Sequence, residues 1–468
     1  MTRPTVLLLL IGTLLAFAAK SSHAADKSPQ NPSERPNIIL CMTDDQGWGD
    51  VSYNGLKQAK TPTLDTMAAT GLRFNRFYAQ QSCSPTRACV MTGRHPNRMG
   101  LFWPGMPLRK QEVTIAQAAK AAGYATAHFG KWHLNGVAGF GKPIATSDPF
   151  GPGPFGFDEC FSVSNWFDLN WTFGHNGKNV KVSGDGSDAI VDAALKFIGP
   201  MAEQKKPFLA AVWFGSPHAP HQPLPADLKA AGGSAYFGEI VGIDRSMGTL
   251  RAGLRKLGIA DNTIVWFCSD NGGWIDEEKP DANGVTGGLR GRKGDVWEGG
   301  IRVPAVIEWP ARIKQPVVTE MPAGVVDIYP TIVEILKTSV PNQVLPLDGI
   351  SLVPLIEGRM QQRPKPMGFW QYDESQPSIN TNSGPSAWSD NRYKLVKPDP
   401  DQWELYDMTT DLAEEKDLAA DHPEIVNRMK AELDAWQQSV IRSYEGQDYP
   451  EKKVIQPKVI QPKKAATK

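Results

Sequence analysis

Residues 37–45 read NIILCMTDD, an apolar run that ends in two adjacent carboxylates. A short run of this kind is typical of a strand that is buried on both faces of a sheet. Further strand patterns lie at residues 124–129, 207–214, 263–268 and 303–307, and helical patterns lie at residues 114–122, 187–198, 239–257 and 327–336. This alternation predicts an α/β fold in which helices cover a mostly parallel sheet.

The length of the chain and a change in its composition predict two domains. The chain has 468 residues, which is long for a single ordinary domain. The polar segment GRMQQRPKP at residues 358–366 is typical of a boundary. It is followed by strand patterns at residues 393–396 and 403–406 and a helical pattern at residues 423–439. We therefore expect a large domain over residues 36–360 and a small α+β domain, with a short antiparallel sheet and a helix, over residues 361–445.

Both ends of the chain carry patterns of their own. Arg3 is followed by an uncharged run over residues 6–19 and by a small-x-small cleavage site at residues 22–24, which is the layout of a secretory signal peptide. We interpret residues 1–24 as a cleavable signal peptide and expect a periplasmic or secreted protein without a stable membrane anchor. An uncleaved N-terminal anchor is the alternative. Residues 446–468 contain VIQPK twice and are rich in lysine, which predicts a disordered tail.

The composition is that of a soluble globular protein, with 41% hydrophobic and 21% charged residues. Basic and acidic residues both number 50, and this balance gives no support for a nucleic-acid binder, which usually carries a basic excess. An exported protein can form disulfides, but the chain has five cysteines, an odd number. Cys41 and Cys268 lie within apolar strand patterns and are predicted to be buried free thiols. Cys83 lies in a polar, turn-rich stretch.

Polar side chains follow four of the predicted strands. They are, in chain order, Asp44 and Asp45, then Lys131, Trp132 and His133, then His218 and His221, and finally Asp270 and Asn271. In open parallel sheets, ligands bind beyond the carboxyl ends of the strands. Four strands that deliver reactive groups to the same edge therefore predict a functional site there.

Two of these groups offer only oxygen donors. Adjacent carboxylates at Asp44 and Asp45 repel each other, and a cation relieves that repulsion. Oxygen ligands without histidine favour Ca²⁺ or Mg²⁺ over zinc, and Asp270 with Asn271 offers the same chemistry. Either pair alone is better explained by a helix cap or a turn. Together, at two strand ends, they favour a metal site.

A second set of candidates is cationic or titratable, and it comprises Arg87, Lys131, His133, His218 and Lys293. A tetrahedral oxyanion needs such donors, and arginine offers a bidentate fork. An ester leaving group needs a proton, which lysine or histidine can supply. Each residue alone could equally be a surface ion pair or a hydrogen-bonded histidine, and Lys293 lies in a basic segment, GLRGRKG, that could be a solvated loop.

The segment Cys83-Ser84-Pro85-Thr86-Arg87 fits the pattern C-x-P-x-R in full, and it resembles the modification motif of the formylglycine sulfatases of the alkaline-phosphatase superfamily. The following Thr92-Gly93-Arg94 resembles the family's continuation of that motif. Further resemblances lie at residues 43–50, 130–134, 217–220, 269–273, 290–293 with 297–300, and 404–407. The resemblance spans roughly residues 36–440, and its ordered motifs are far more specific than C-x-P-x-R alone.

The resemblance implies an alkaline-phosphatase-like α/β fold, with a large mixed, mostly parallel sheet sandwiched by helices and a smaller C-terminal α+β domain. It also implies a sulfatase in which a formylglycine-generating or sulfatase-maturating enzyme converts Cys83 to formylglycine. The implied cation is Ca²⁺, with Mg²⁺ as the alternative, and the implied metal ligands are Asp44, Asp45, the modified Cys83, Asp270 and Asn271.

The resemblance assigns a role to each cationic candidate. Arg87 and Lys131 would stabilise the hydrated formylglycine and the developing charge. His133 would orient the diol and take its proton, while His218 and Lys293 would bind sulfate and protonate the leaving alcohol. Two positions depart from the family pattern, because Asn135 and Cys89 stand where glycine and alanine are usual. Neither departure removes a catalytic candidate.

Two other functions compete with this interpretation. One is a phosphodiesterase or phosphonate monoester hydrolase of the same superfamily, and the other is a non-catalytic binder of sulfated glycans with an unmodified Cys83. The expected substrates are sulfated polysaccharide or glycosaminoglycan fragments, with aryl sulfates as a side activity. Aromatic side chains in the loops at residues 101–109 and 163–177 could stack on sugar rings, or they could equally pack within the loops.

Overall fold

The structure is a computed structural model that describes residue 1 and residues 35–275, 283–372 and 378–455. Apart from Met1, the predicted signal peptide lies outside these ranges, as do residues 456–468 of the predicted tail. Within the described ranges, no helix combines the length and the apolar character that a membrane span requires.

The protein is built around one mixed sheet of ten strands. In chain order the described strands are β1 (Asn37–Thr43), β2 (Leu72–Phe74), β3 (Phe77–Tyr78), β4 (Ala125–Lys131), β5 (Glu159–Val163), β6 (Thr172–His175), β7 (Lys178–Lys181), β8 (Phe208–Trp213), β9 (Thr263–Ser269), β10 (Ala305–Glu308), β11 (Val317–Thr319), β12 (Ala323–Gly324), β13 (Met367–Trp370), β14 (Ser386–Ser389), β15 (Tyr393–Lys397) and β16 (Glu404–Asp407). The order in the large sheet is β11-β2-β10-β9-β1-β8-β4-β5-β6-β7. The central strands β9, β1, β8, β4 and β5 are parallel. Antiparallel pairs occur on either side of them, so the predicted mixed, mostly parallel sheet is confirmed.

Strand β1 shows why this sheet must be covered on both faces. Its alternate residues point in opposite directions: Ile38 and Leu40 join one apolar core, and Ile39 and Cys41 join the other. All four are at most 3% exposed. The prediction that Cys41 is a buried free thiol is confirmed, and the same holds for Cys268.

Helices pack on both faces of the sheet. In chain order they are α1 (Pro62–Thr70), α2 (Cys83–Thr92), α3 (Ile115–Ala121), α4 (Gly186–Glu203), α5 (Pro225–Ala230), α6 (Ala235–Lys256), α7 (Glu298–Ile301), α8 (Ile328–Leu336), α9 (Val353–Ile356) and α10 (Pro423–Tyr444). The helices predicted at residues 114–122, 187–198, 239–257 and 327–336 are confirmed as α3, α4, α6 and α8. Helix α3 begins at a capping box of Thr114 and Gln117, which satisfies two backbone N–H groups at its first turn.

A second, four-stranded antiparallel sheet lies in the C-terminal part, in the order β13-β14-β15-β16. Helix α10 covers one of its faces through an apolar cluster that includes Trp388, Leu395, Leu405, Met429 and Leu433. This is the small sheet and helix that the sequence predicted. The boundaries drawn at residues 360 and 445 stay predictions.

A buried ionic cluster joins the small sheet to the large part of the protein. Lys394 Nζ on β15 lies 2.9 Å from Glu298 Oε1 on α7 and 2.8 Å from Glu414 Oε1. Glu298 N donates to Glu414 Oε2 at 2.8 Å. These three side chains are fully or almost fully buried, so the two sheets are held in a fixed relation.

The predicted disordered tail differs from the structure at its start. Asp448 lies 2.9 Å from Arg94. Tyr449 is only 2% exposed, and its hydroxyl donates to Glu112 Oε1 at 2.7 Å. Residues 446–455 are therefore anchored on the large domain, because polar contacts with distant residues offset the low apolar content that suggested disorder.

Candidate active site

The candidate site lies at the carboxyl ends of β1, β9 and β4. Strand β1 pairs with β9 on one side and with β8 on the other, and β4 lies beyond β8. Their carboxyl ends therefore meet at one edge of the sheet, and Asp44, Asp270 and Lys131 come together there. The tight spacing of β4 and β8 depends on Gly130, which has φ +97° and whose Cβ, if it had one, would lie 1.9 Å from Trp213 O.

The acidic candidates form one compact cluster with Cys83. One ligand atom from each of Asp44, Asp45, Cys83 and Asp270 lies within 4.8 Å of all the others, and all four residues are buried. Asp44 Oδ1 and Asn271 Oδ1 are buried and have no hydrogen-bond partner among the described residues. Buried polar atoms are normally satisfied, and a hard divalent cation would satisfy these oxygens. The donor set therefore fits a metal ion.

Backbone geometry and hydrogen bonds hold these candidate ligands in place. Asp45 adopts φ 66°, which turns the chain sharply after β1. Asp45 N donates to Asp270 Oδ1 at 3.1 Å, and Asn271 Nδ2 donates to Asp45 Oδ1 at 2.8 Å. Hydrogen bonds therefore connect the loops after β1 and β9 and keep the acidic side chains together.

Two cations lie directly against the carboxylates. Lys131 Nζ donates to Asp44 Oδ2 at 2.5 Å. Arg87 Nη2 donates to Asp270 Oδ2 at 2.7 Å, and its Nη1 donates to Lys131 O at 2.8 Å. All of these side chains are fully buried. Arg87 and Lys131 therefore place positive charge next to Cys83, where an oxyanion would need it.

Lys293 and His218 converge on the third carboxylate. Lys293 Nζ lies 2.7 Å from Asp45 Oδ1 and 2.9 Å from Asp45 Oδ2. His218 Nε2 lies 3.8 Å from Asp45 Oδ2, and its Nδ1 lies 2.6 Å from Ala219 O, which fixes the ring orientation. Burial raises the pKa of Asp45, but Lys293 and His218 outweigh it and hold that pKa below its usual range. A lysine and a histidine therefore face one point beside the acidic cluster.

Cys83 and His133 complete the set. Cys83 is the first residue of α2 and is 1% exposed, so the stretch that the sequence suggested to be turn-rich is the buried start of a helix. Burial raises the pKa of the Cys83 thiol to about 12, although Lys131 and Lys293 oppose the change. The thiol is therefore protonated and a poor nucleophile as it stands. His133 has φ 55°, and its Nδ1 is buried with no partner among the described residues.

The predicted metal ligands and cationic candidates thus lie in one place, and His221 lies beside them with its ring edge-on against Tyr236. Sequence reasoning missed Tyr236, whose hydroxyl lies 3.3 Å from Asp45 O and 2.6 Å from Asp50 Oδ2.

Sequence reasoning also missed the contact of Trp166 with His218. Their rings are nearly parallel, at 14°, and the ring centroids are 6.2 Å apart. The aromatic content of the loop at residues 163–177 was the available signal for Trp166.

Comparisons with known proteins agree with this geometry. Residues 36–338 match the family model described as Sulfatase, and residues 292–439 match the one described as N-sulphoglucosamine sulphohydrolase, C-terminal. The chain is 32% identical to N-acetylgalactosamine-6-sulfatase from Sus scrofa, over 70% of this chain and 67% of that protein. It is 28% identical to steryl-sulfatase from Mus musculus, over 83% of this chain and 75% of that protein.

A solved structure shows the same fold. The crystal structure of Ps i-CgsB in complex with k-i-k-neocarrahexaose superposes with a TM-score of 0.76 and 26% identity, over 86% of this chain and 93% of that chain. The family match, the fold and the residues at the strand ends lead to one conclusion. The chain belongs to the sulfatase family of the alkaline-phosphatase superfamily, and it is a hydrolase of sulfate esters.

Proposed function

We propose that this sulfatase removes sulfate from sulfated polysaccharide or glycosaminoglycan fragments, with formylglycine at position 83 and Ca²⁺ as its metal. The observation that carries the proposal is the position of Cys83, buried at the start of α2 within 4.8 Å of ligand atoms from Asp44, Asp45 and Asp270. Calcium is the proposed ion because the ligands are carboxylate and amide oxygens. Mg²⁺ is the alternative.

The conversion of Cys83 requires an external maturating enzyme. The CH₂SH side chain becomes an aldehyde. Water supplies the oxygen, and sulfur leaves as sulfide. The two electrons that are removed pass to an oxidant that the maturating enzyme provides. Hydrated formylglycine would supply two hydroxyls, one to attack sulfur and one to expel sulfate as the aldehyde re-forms. A serine at this position could attack but could not release sulfate in this way.

The residues around Cys83 supply the charges that this reaction needs. Asp44, Asp45, Asp270 and Asn271 would hold the cation, which would supply Lewis-acid chemistry beside the attacking hydroxyl when bound. Arg87 and Lys131 stabilise negative charge as it develops, because they are fixed and buried before the substrate arrives.

The geometry supports two proposed proton transfers. His218 Nε2 and Lys293 Nζ both face Asp45, so either can protonate the bridging oxygen when the bond between sulfur and that oxygen breaks. His133, whose Nδ1 has no partner among the described residues, accepts the proton of the remaining hydroxyl when sulfate leaves.

Features beside the site support a carbohydrate substrate. Trp166 packs against His218, and Phe140, which is 66% exposed, lies edge-on to Trp166 with ring centroids 4.8 Å apart. A cavity of about 760 Å³ opens beside Asn135 and is lined by Lys142 and Phe150 among others. Aromatic faces and a cation suit an anionic sugar chain, and the related structure described above was solved with an oligosaccharide.

We further propose the location and the domain limits of the protein. The pattern over residues 1–24 supports export to the periplasm or the medium. The polar segment at residues 358–366 supports a catalytic domain over residues 36–360 and a small domain over residues 361–445. The tail at residues 456–468 is proposed to be disordered on its composition alone.

Mass spectrometry of the tryptic peptide FYAQQSCSPTR, residues 77–87, tests the proposal on protein from the native host or from a host with a maturating enzyme. We expect the peptide mass to fall by the difference between a CH₂SH side chain and a CHO side chain. We also expect the protein to release sulfate from members of a sulfated-glycan panel. The C83A variant should lack both signals. Unmodified Cys83 in mature protein that binds glycans without turnover would favour the non-catalytic binder. Faster turnover of aryl phosphodiesters than of any sulfate ester would favour the phosphodiesterase.

A further inference from the structure

Glu239 on α6 contacts both ends of the segment that carries His218. Its Oε2 accepts a hydrogen bond of 2.6 Å from Ser216 Oγ, and its Oε1 accepts one of 2.8 Å from Gln222 N. The carboxyl group is deeply buried, since Glu239 is only 4% exposed. One buried side chain thus bridges the two ends of the loop at residues 216–222.

The same loop is tied to the metal-binding segment. Ser216 O accepts a hydrogen bond of 3.1 Å from Asp44 N. One turn before Glu239 on α6, the Tyr236 hydroxyl lies 3.3 Å from Asp45 O. The first turns of α6 therefore support both the loop of His218 and the loop of the carboxylates. The position of His218 relative to Asp45 depends on this shared support.

We propose that Glu239 is a positioning residue for the leaving-group step, because it fixes the loop that aims His218 at the ester oxygen. This proposal rests on the proposed function of His218. The hydrogen bonds of Glu239 go to Ser216 and Gln222 and not to the acidic cluster. Its effect on the rate must therefore pass through the loop. A displacement of about 1 Å at a reacting group can lower a rate by on the order of 10²-fold.

A buried acid elsewhere on the same helix provides a matched control. Asp244 is also 4% exposed, and it accepts hydrogen bonds from Thr63 N at 3.1 Å and Leu64 N at 2.9 Å. These contacts hold the first turn of α1 rather than the loop of His218. D244A and E239A should therefore lower stability to a similar extent, whereas only E239A should disturb the leaving-group step.

The experiment measures kcat/KM for phenyl, nitrophenyl and dinitrophenyl sulfate, whose leaving groups need progressively less protonation. We expect E239A to lower kcat/KM by about 10-fold or more for phenyl sulfate and far less for dinitrophenyl sulfate, as expected when general-acid assistance is lost. E239Q should restore the parent pattern, because its amide can accept from Gln222 N and donate to Ser216 Oγ. D244A should keep the parent dependence on the leaving group.

A double-mutant cycle with H218A separates this proposal from the assignment of His218. If Glu239 acts through His218, adding E239A to H218A lowers kcat/KM little further. Two outcomes would overturn the positioning role. In one, the fold losses of kcat/KM in E239A and H218A multiply in the double variant. In the other, E239A lowers kcat/KM equally for all three esters. If H218A lowers kcat/KM equally for all three esters, the proposed acid role of His218 is wrong. The double-mutant cycle then still shows whether Glu239 and His218 are coupled.

Discussion

Arg87 Nη2 donates a hydrogen bond of 2.7 Å to Asp270 Oδ2, and both side chains are completely buried. The same guanidinium donates to the carbonyl oxygen of Lys131. The arginine of the C-x-P-x-R pattern therefore connects the start of α2 to the carboxyl ends of β9 and β4. It holds Cys83 against the proposed metal ligands and neutralises one carboxylate at the same time.

Replacement of Arg87 should damage both stability and turnover. Removal of one partner of a buried ion pair leaves an uncompensated charge and costs about 3–5 kcal/mol, and loss of a charge-stabilising donor lowers kcat on the order of 10²–10³-fold. We expect R87A to show both effects in thermal unfolding and in sulfate release per folded molecule. R87K should recover part of the stability but little activity, because lysine cannot contact Asp270 and the Lys131 carbonyl with a planar fork.

A second buried arginine separates the two effects. Arg363 pairs with Asp327 at 2.6 Å and 2.8 Å, and both side chains are fully buried outside the candidate site. R363A should destabilise the protein comparably, while the folded fraction keeps near-parent turnover. If R363A and R87A lowered turnover per folded molecule equally, the loss in R87A would be a folding effect and not a catalytic one.

Metal loading should stabilise the protein, because binding to the folded state alone adds about 2.7 kcal/mol at a metal concentration 100 times the Kd. We expect Ca²⁺ to raise the Tm of chelator-treated protein more than Mg²⁺ does. D44A and N271A remove two oxygens of the cluster that have no hydrogen-bond partner among the described residues. These variants should therefore abolish the shift and lower the calcium content measured by atomic emission. D188A is the control, because Asp188 is paired with Arg245 outside this cluster. An unchanged calcium shift in D44A would contradict the ligand assignment.

The site was predictable from the sequence where its residues follow strands of the parallel sheet. Asp44, Lys131 and Asp270 each come at the carboxyl end of an apolar strand, and neighbouring parallel strands end at one edge. That geometric rule needs only the position of each strand. The start of α2 was harder to predict, because Ser84 and Arg87 tie it to residues far away in the chain, and a local pattern does not contain such contacts.

Other elements left no local signal. Strand β7 is almost entirely exposed, so its sequence KNVK lacks the apolar run by which buried strands are recognised. Tyr236 acts on the backbone of a residue 191 positions away in the chain, and Glu239 bridges residues that it meets only through the packing of α6. Such supporting residues become visible only when the tertiary structure brings their partners together.

Lys293 should be essential although its basic neighbours are not. Its Nζ lies within 3 Å of both Asp45 oxygens, so K293M should lower kcat/KM on the order of 10²–10³-fold. Arg290 is in the same basic segment, but its side chain is 41% exposed and pairs with Glu404 at 3.0 Å. Exposed pairs of this kind contribute about 0–1 kcal/mol, so R290M should keep near-parent kcat/KM. Comparable losses in both variants would assign the effect to the charge of the loop.

The pH dependence of stability should carry a contribution from His95. This residue is 1% exposed, its Nδ1 accepts from Asn97 N, and its ring packs edge-on against Trp436 of α10. Burial lowers its pKa from 6.5 to about 3, although Asp348 opposes the change. Because the pKa of His95 is lower in the folded state, the unfolded state binds the proton more readily. The contribution of neutral His95 to the free energy of unfolding is therefore present above pH 6.5 and is lost as the pH falls toward 3.

The H95N variant isolates this contribution, because asparagine stays neutral and can still accept from Asn97 N. Urea unfolding of the parent between pH 6.5 and pH 4 should show an extra loss of about 1.4 kcal/mol per pH unit relative to H95N. Parallel pH profiles for the two proteins would show that His95 does not stay neutral in the folded state.

Trp166 should distinguish a glycan from a small aryl ester. Its ring lies nearly parallel to that of His218, and the exposed Phe140 packs edge-on against Trp166. A sugar ring that stacks there gains binding energy of about 1 kcal/mol or more, whereas nitrophenyl sulfate needs mainly the sulfate pocket. We expect W166A to lower kcat/KM on a sulfated oligosaccharide about 10-fold more than on nitrophenyl sulfate. W274A is the control, because Trp274 is 48% exposed and its ring faces Arg292. Equal losses of W166A on both substrates would mean that Trp166 acts by holding His218 and does not bind the glycan.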